Sequence, residues 1–291
     1  MKPTLVLLGD SFTAGDGSNS ETVIPQLFDA DWREFADRHS LAYFKNIEDE
    51  KWANNFGIIQ QQYLEAYNTS VHTETINRKH RWSSIVAQHT GFDVINYAKS
   101  GNSINGIAYT LAMWLNNNPQ PSGPVCVVAN FTHINRHSFV SRDTENYDEL
   151  LRDSPYDLLV THNAHDGVMD NYFVKYDQMK GYEFEYYYTI WLCEQLCHRH
   201  SIKFVWSGPY NPPDYDFDQC NYFNFSVNNN NRLSNIIPEY TDIISYHRFC
   251  NSETKQNPLS PCGHFNQLGQ QTMGREFSRK LLENEDWLFK K

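Results

Sequence analysis

Five short apolar and β-branched runs punctuate the chain: TLVLLG at 4–9, FDVINY at 92–97, VCVVANF at 125–131, IKFVWS at 202–207 and TDIISY at 241–246. They are largely continuous. A strand with one wet face alternates apolar and polar residues, whereas a strand covered on both faces is apolar throughout, so these runs predict a buried parallel sheet. Longer stretches at 81–90, 104–117, 182–200 and 266–284 carry apolar residues at helical spacing. Strands and helices in alternation build crossover units, which predicts an α/β chain with a mostly parallel, doubly wound sheet of about five strands.

Three intervening stretches, at about 16–80, 137–181 and 210–232, are polar, aromatic and irregular. Connections in compact domains are normally a few residues long, so these read as insertions. No Gly/Ser-rich or Pro-rich tract divides the chain and no repeat is evident, which predicts a single domain over 1–291. In open α/β sheets the loops at the carboxyl ends of the strands wall the ligand crevice, and the insertions are expected there; oligomer contacts or disorder are the alternatives.

Charge narrows the function classes. The formal net charge is -11 and no Lys/Arg cluster stands out, which disfavours nucleic acid and anionic lipid as partners. The apolar run at 4–9 is too short for a signal-peptide core, and no segment reaches the roughly 18 apolar residues of a membrane span. A cytoplasmic protein is expected. The six cysteines lack paired C-x-x-C spacing and read as reduced thiols, with neither a metal nor a cofactor called for.

Candidate chemistry lies where the predicted strands end. LLGDSFTAG places Ser11 just past the first strand, on a rim where a base can take its proton and its backbone N–H can face an oxyanion. Asp10 beside it suits fixing the turn through backbone donors. In NYAKSGNS the second strand ends in a turn where Gly101 precedes a helix, and its N–H is a second candidate donor. VVANFTHINR closes the third strand with Asn130 and Thr132 as candidate side-chain donors and Arg136 as a candidate to orient substrate. CGHFNQLGQ puts His264 before the last helix, where a mostly neutral imidazole suits a general base.

Serine after strand one, glycine after strand two, a polar donor after strand three and histidine before the final helix: in this order the chain resembles the SGNH/GDSL hydrolase superfamily from end to end. LLGDSFTAG is similar to its first block, NYAKSGNS to its second and GHFNQLGQ to the HPNxxG part of its last. RWSSIVAQHTGFDVINYAKSGNS and FTHINR resemble versions carried by tailed bacteriophages, which adds the phage particle as a location. The resemblance implies a flavodoxin-like three-layer α/β/α sandwich and hydrolysis of a small acyl ester, with O-acetyl groups on a carbohydrate among the expected targets. It implies Ser11 as nucleophile, His264 as base, and the N–H groups of Ser11 and Gly101 with Thr132, or Asn130 as second choice, as the oxyanion hole.

Two departures qualify that pattern. The family's Asp three residues before the histidine is replaced by Pro261, which leaves a Ser-His dyad. A backbone carbonyl, Ser260, Asp214 or Asp218 remain as groups to orient His264. The family's GxND block reads NFTH here, which puts Thr132 at the Asn position and Asn130 at the Gly position.

Two rival readings compete with the esterase. His162, His165 and Asp166 in THNAHDG offer a possible cation site, within an irregular insertion and without a second cluster at ligand spacing. A catalytically weak or inactive glycan-binding module on the same fold is the other, with Trp52, Tyr63, Tyr67, Tyr172, Tyr186, Tyr210 and Tyr215 available to stack on sugar rings or to fill the core.

Overall fold

The computed structural model describes residues 2–15, 80–99, 102–132, 136–140, 159–163, 178–208, 227–254 and 264–289. The chain divides into two compact units, each discontinuous in sequence. The first comprises Met1–Thr13, Asp93–Ile243 and Asn284–Lys291, the second Ala14–Phe92 and Ile244–Glu283.

The first unit is built on four parallel strands: β1 (Thr4–Leu8), β2 (Asp93–Asn96), β3 (Val125–Asn130) and β6 (Lys203–Ser207), in the order β2-β1-β3-β6. Leu5 pairs with Val94 on one side and Cys126 on the other, and Asn130 pairs with Ser207. The apolar runs have the physical cause that their continuity suggests. Val6, Leu8, Val127, Ala129, Phe204 and Trp206 face α3 (Ile104–Asn117) and α4 (Gln178–Arg199), while Leu5, Leu7, Cys126, Val128 and Val205 point to the opposite face and are equally buried. Each such Leu or Val contributes about 1.5–3 kcal/mol by leaving water. The chain is therefore α/β, with an all-parallel sheet and associated helices.

Helix α3 starts where the sequence supplies a cap: Ser103 Oγ accepts the Gly106 N–H at 3.0 Å. Its buried stripe, Ile104, Ile107, Ala108, Leu111, Trp114 and Leu115, repeats every three to four residues and meets the sheet. On α4, Tyr186, Ile190, Cys193 and Cys197 form the matching stripe. Tyr186 is thus a core residue on a helix, not a loop aromatic. The thiols of Cys126, Cys193, Cys197 and Cys250 are free and buried, and burial pushes Cys126 up to about 12, where it is inert as a nucleophile at neutral pH.

Two expectations are corrected here. TDIISY does not form a strand: α5 (Ile243–Thr254) runs through it, because Ile243, Tyr246, His247 and Cys250 are buried at helical spacing. A short apolar run is compatible with either element, and its continuation into HRFC decides for the helix. The stretch 137–181 is not wholly irregular. β4 (Arg136–Val140) and β5 (Leu159–Asn163) pair antiparallel as a separate two-stranded sheet.

In the second unit α2 (Trp82–Thr90) packs closely on α6 (Gln267–Glu283), with Trp82 edge-on to Phe277 at 5.3 Å between ring centroids. Gly274 permits this approach, since a Cβ there would fall 2.7 Å from Ile85 Cβ and 3.0 Å from the Trp82 carbonyl oxygen. His247 is fully buried in this unit, stacked on Phe265, and desolvation, aided by the Arg248 charge, holds its pKa well below 6.5. The unfolded chain then binds the His247 proton at a pH where the folded chain does not. This contribution is intact above pH 6.5 and is lost as the pH falls below it. We expect wild-type stability to drop relative to His247→Asn between pH 6.5 and 5, by up to about 1.4 kcal/mol per unit, in urea titrations at successive pH values.

Candidate active site

The order β2-β1-β3 reverses direction at β1, so the crevice between the carboxyl ends of β1 and β3 is the topological switch point at which open α/β sheets bind ligands. Ser11 stands at that end of β1, as the first residue of α1 (Ser11–Ala14), and is 6 % exposed. The turn before it is tightly determined. A Cβ at Gly9 would run into the Thr13 side chain and lie 3.1 Å from the Asn130 carbonyl oxygen, so only glycine fits. The Gly9 carbonyl accepts from Lys99 N and from Asn102 Nδ2, each at 3.2 Å. Asn96 Nδ2 donates to the Thr13 carbonyl at 2.8 Å. The loop after β2 and the turn after β1 are therefore one hydrogen-bonded piece.

Asp10 is wholly buried and caps α1: its Oδ1 accepts the Phe12 N–H at 3.1 Å, the turn-fixing role its position suggested. Its Oδ2 accepts the Thr132 hydroxyl at 2.9 Å, which joins the end of β1 to the residue beyond β3. A hydroxyl has one proton. In this geometry that of Thr132 is given to Asp10.

Asn130 is placed differently. Its Oδ1 accepts from Ser207 Oγ at 2.8 Å and from Tyr240 Oη at 3.0 Å, while its buried Nδ2 has no hydrogen-bond partner among the described residues. Two hydroxyls thus fix the amide by one end and leave the other as a buried donor without an acceptor among the described residues. Sequence reading missed Ser207 and Tyr240. The polar end of IKFVWS was the one available signal for the first, and nothing local marks the second.

His264 lies in the second unit, partly buried in a bend two residues before Asn266. Asn266 caps α6, its Oδ1 accepting the Gly269 N–H at 3.0 Å. Gln270, fully buried, holds the segment from behind: Nε2 donates to the Phe265 carbonyl at 3.4 Å and Oε1 accepts the Trp82 N–H at 2.9 Å. Through that second bond Gln270 caps α2, whose own N-cap residue Arg81 supplies no side-chain cap bond. Gln270→Leu strands the Trp82 N–H and frees the carbonyl next to His264; we expect a loss of about 1–3 kcal/mol in denaturant unfolding.

Gly101 lies outside the described residues, as do His165 and Asp166 and, among the aromatics, Trp52, Tyr63, Tyr67, Tyr172, Tyr210 and Tyr215; so do Asp214, Asp218, Ser260 and Pro261. Arg136 opens β4 opposite Asn163, and His162 in β5 faces His137 in the register; their side chains are not among those described. Among the described residues no group of three or more His, Cys, Asp or Glu is arranged to hold a metal ion. No described helix is long and apolar enough to cross a membrane. Comparison with known proteins returns no matching family model and no matching curated relative.

Proposed function

We propose that this chain is a serine esterase that hydrolyses a small acyl ester, with Ser11 as nucleophile and His264 as general base. The N–H groups of Ser11 and Gly101 and the Asn130 amide are the proposed oxyanion donors. The observation that carries the reading is a donor without a partner among the described residues. Asn130 Nδ2 is buried at the end of β3, beside the strand whose end presents Ser11. A buried N–H without an acceptor is costly in the resting protein, and the oxygen that turns negative when Ser11 adds to an ester carbonyl is an acceptor that arises only then. A donor fixed in advance at that point favours the transition state over the substrate.

In this mechanism the Ser11 Oγ proton passes to His264 as the Oγ–carbonyl bond forms. The tetrahedral oxyanion then collapses, and the departing alkoxide takes the proton from His264 to leave as the alcohol. Water attacks the acyl-enzyme with His264 again as base, and the acid leaves as Ser11 regains its proton. No cofactor enters. The strand order matches the first four strands of a flavodoxin-like sheet, and we read the fold as that three-layer sandwich. The cytoplasm or a phage particle is the proposed location.

One observation favours the glycan-binding module instead: Pro261 stands where the family carries its Asp, so the carboxylate that usually orients the imidazole is missing from that position. A serine-reactive fluorophosphonate separates the two readings. An adduct mapped to Ser11 by mass spectrometry is the result expected of the esterase. An unlabelled protein without hydrolysis of aryl acetates would leave the binding module.

A further inference from the structure

The end of β6 and the turn before α5 converge on one atom. Ser207 Oγ donates to Asn130 Oδ1 at 2.8 Å, Tyr240 Oη donates to the same oxygen at 3.0 Å, and all three side chains are buried. Both donors stand on fixed backbone. Asn130 and Ser207 are register partners in the parallel pair of β3 and β6, and the Ser207 carbonyl accepts the Phe131 N–H at 3.3 Å. The Tyr240 N–H is given to the Ile237 carbonyl at 2.8 Å. The carbonyl of the next residue, Thr241, accepts the Gly208 N–H at 3.0 Å and ties that turn to the end of β6.

Two consequences follow for the other end of the amide. The oxygen and nitrogen of an asparagine side chain are nearly alike in shape, so its direction is set by hydrogen bonds more than by packing. Turning the amide would break both bonds to Oδ1 as they stand and put oxygen where Nδ2 is now; an oxygen there repels a developing oxyanion. Hydrogen bonds accepted by the oxygen also draw electrons from the nitrogen through the amide resonance, which makes the Nδ2 hydrogens stronger donors.

We propose that Ser207 and Tyr240 are positioning residues, which lock the direction of the Asn130 amide and strengthen Nδ2 as a donor to the oxyanion. The inference rests on the esterase reading and extends its site by two residues that act through Asn130 and not on the substrate. Both effects pass through a single side chain. Removing either hydroxyl from a protein that already lacks the amide therefore costs no further activity, whereas residues that only support the fold would add their losses to that of Asn130.

Tyr240→Phe and Ser207→Ala each delete one oxygen and leave Asn130 Oδ1 one hydroxyl. We expect kcat for a short-chain aryl acetate to fall about tenfold in each, with KM changed by less than about twofold. The double variant should lose about 10²–10³ in kcat, as expected of Asn130→Ala. In an Asn130→Ala background the same two changes should move kcat by less than about twofold. A second readout needs no turnover. The Asn130 side-chain amide is assigned in a heteronuclear NMR spectrum by its absence from Asn130→Ala protein. Its nitrogen resonance should move upfield in each single variant and further in the double one, as the polarisation by the hydroxyls is withdrawn. The single variants carry the test if the double variant does not fold. Losses that persist undiminished in the Asn130→Ala background, or an amide resonance indifferent to both changes, overturn the proposal. A shifted amide in a protein without hydrolysis would keep the lock on Asn130 and remove the esterase; hydrolysis lost with Asn130 but indifferent to both hydroxyls would do the reverse.

Discussion

Ser11→Ala is expected to lower kcat/KM for a short-chain aryl acetate by about 10⁴-fold or more while leaving the melting temperature unchanged. The two halves of that result come from different parts of the local structure. The turn is held by Gly9, by the Asp10 cap on Phe12 N–H and by Asn96 and Asn102. Alanine is also at least as good as serine in the first turn of a helix. What the substitution removes is the oxygen proposed to form the acyl bond. His264→Ala is expected to give a loss of similar order, since an unactivated serine is a poor nucleophile at neutral pH. Exogenous imidazole should restore part of that activity. Equal turnover in wild type and Ser11→Ala would remove Ser11 as nucleophile.

How much of this was legible in the sequence depends on whether the deciding interaction is local. Thr4–Leu8, Val125–Asn130 and Lys203–Ser207 announce themselves because strands buried on both faces need continuous apolar runs. Ile104–Asn117 announces itself through its periodic apolar face and the Ser103 cap. TDIISY misleads because six residues are too few to separate a strand from a buried helical turn, and only Cys250 and its neighbours further on settle it. The hairpin Arg136–Val140 with Leu159–Asn163 gives little local signal, because the eighteen intervening residues hide the pairing. At the site the role of Asp10 could be read from its place before a helix. The choice between Thr132 and Asn130 could not: it turns on Asp10 accepting the Thr132 proton across 122 positions, and on Ser207 and Tyr240 occupying the Asn130 oxygen from 77 and 110 positions away. Such contacts depend on sheet order, which no single segment encodes.

That choice yields the sharpest test of the oxyanion assignment. Asn130→Ala is expected to reduce kcat by about 10²–10³ with little change in KM, the effect of deleting one preorganised donor. It should also cost about 1–3 kcal/mol of stability, because Ser207 Oγ and Tyr240 Oη lose a buried acceptor. Thr132→Val is expected to show the opposite balance. It keeps the side-chain shape and removes the proton that Asp10 Oδ2 accepts, so a buried carboxylate oxygen loses a hydrogen bond and unfolding becomes easier by about 1–3 kcal/mol. With the Asn130 amide as the proposed oxyanion donor, its kcat should fall by less than about tenfold. Thr132→Ser retains the proton and should recover most of the stability lost in Thr132→Val. Urea midpoints measured alongside kcat on the same three proteins separate the roles. A thousandfold kinetic loss in Thr132→Val with an unaltered midpoint would return the oxyanion to Thr132 and leave the Asn130 amide without a function.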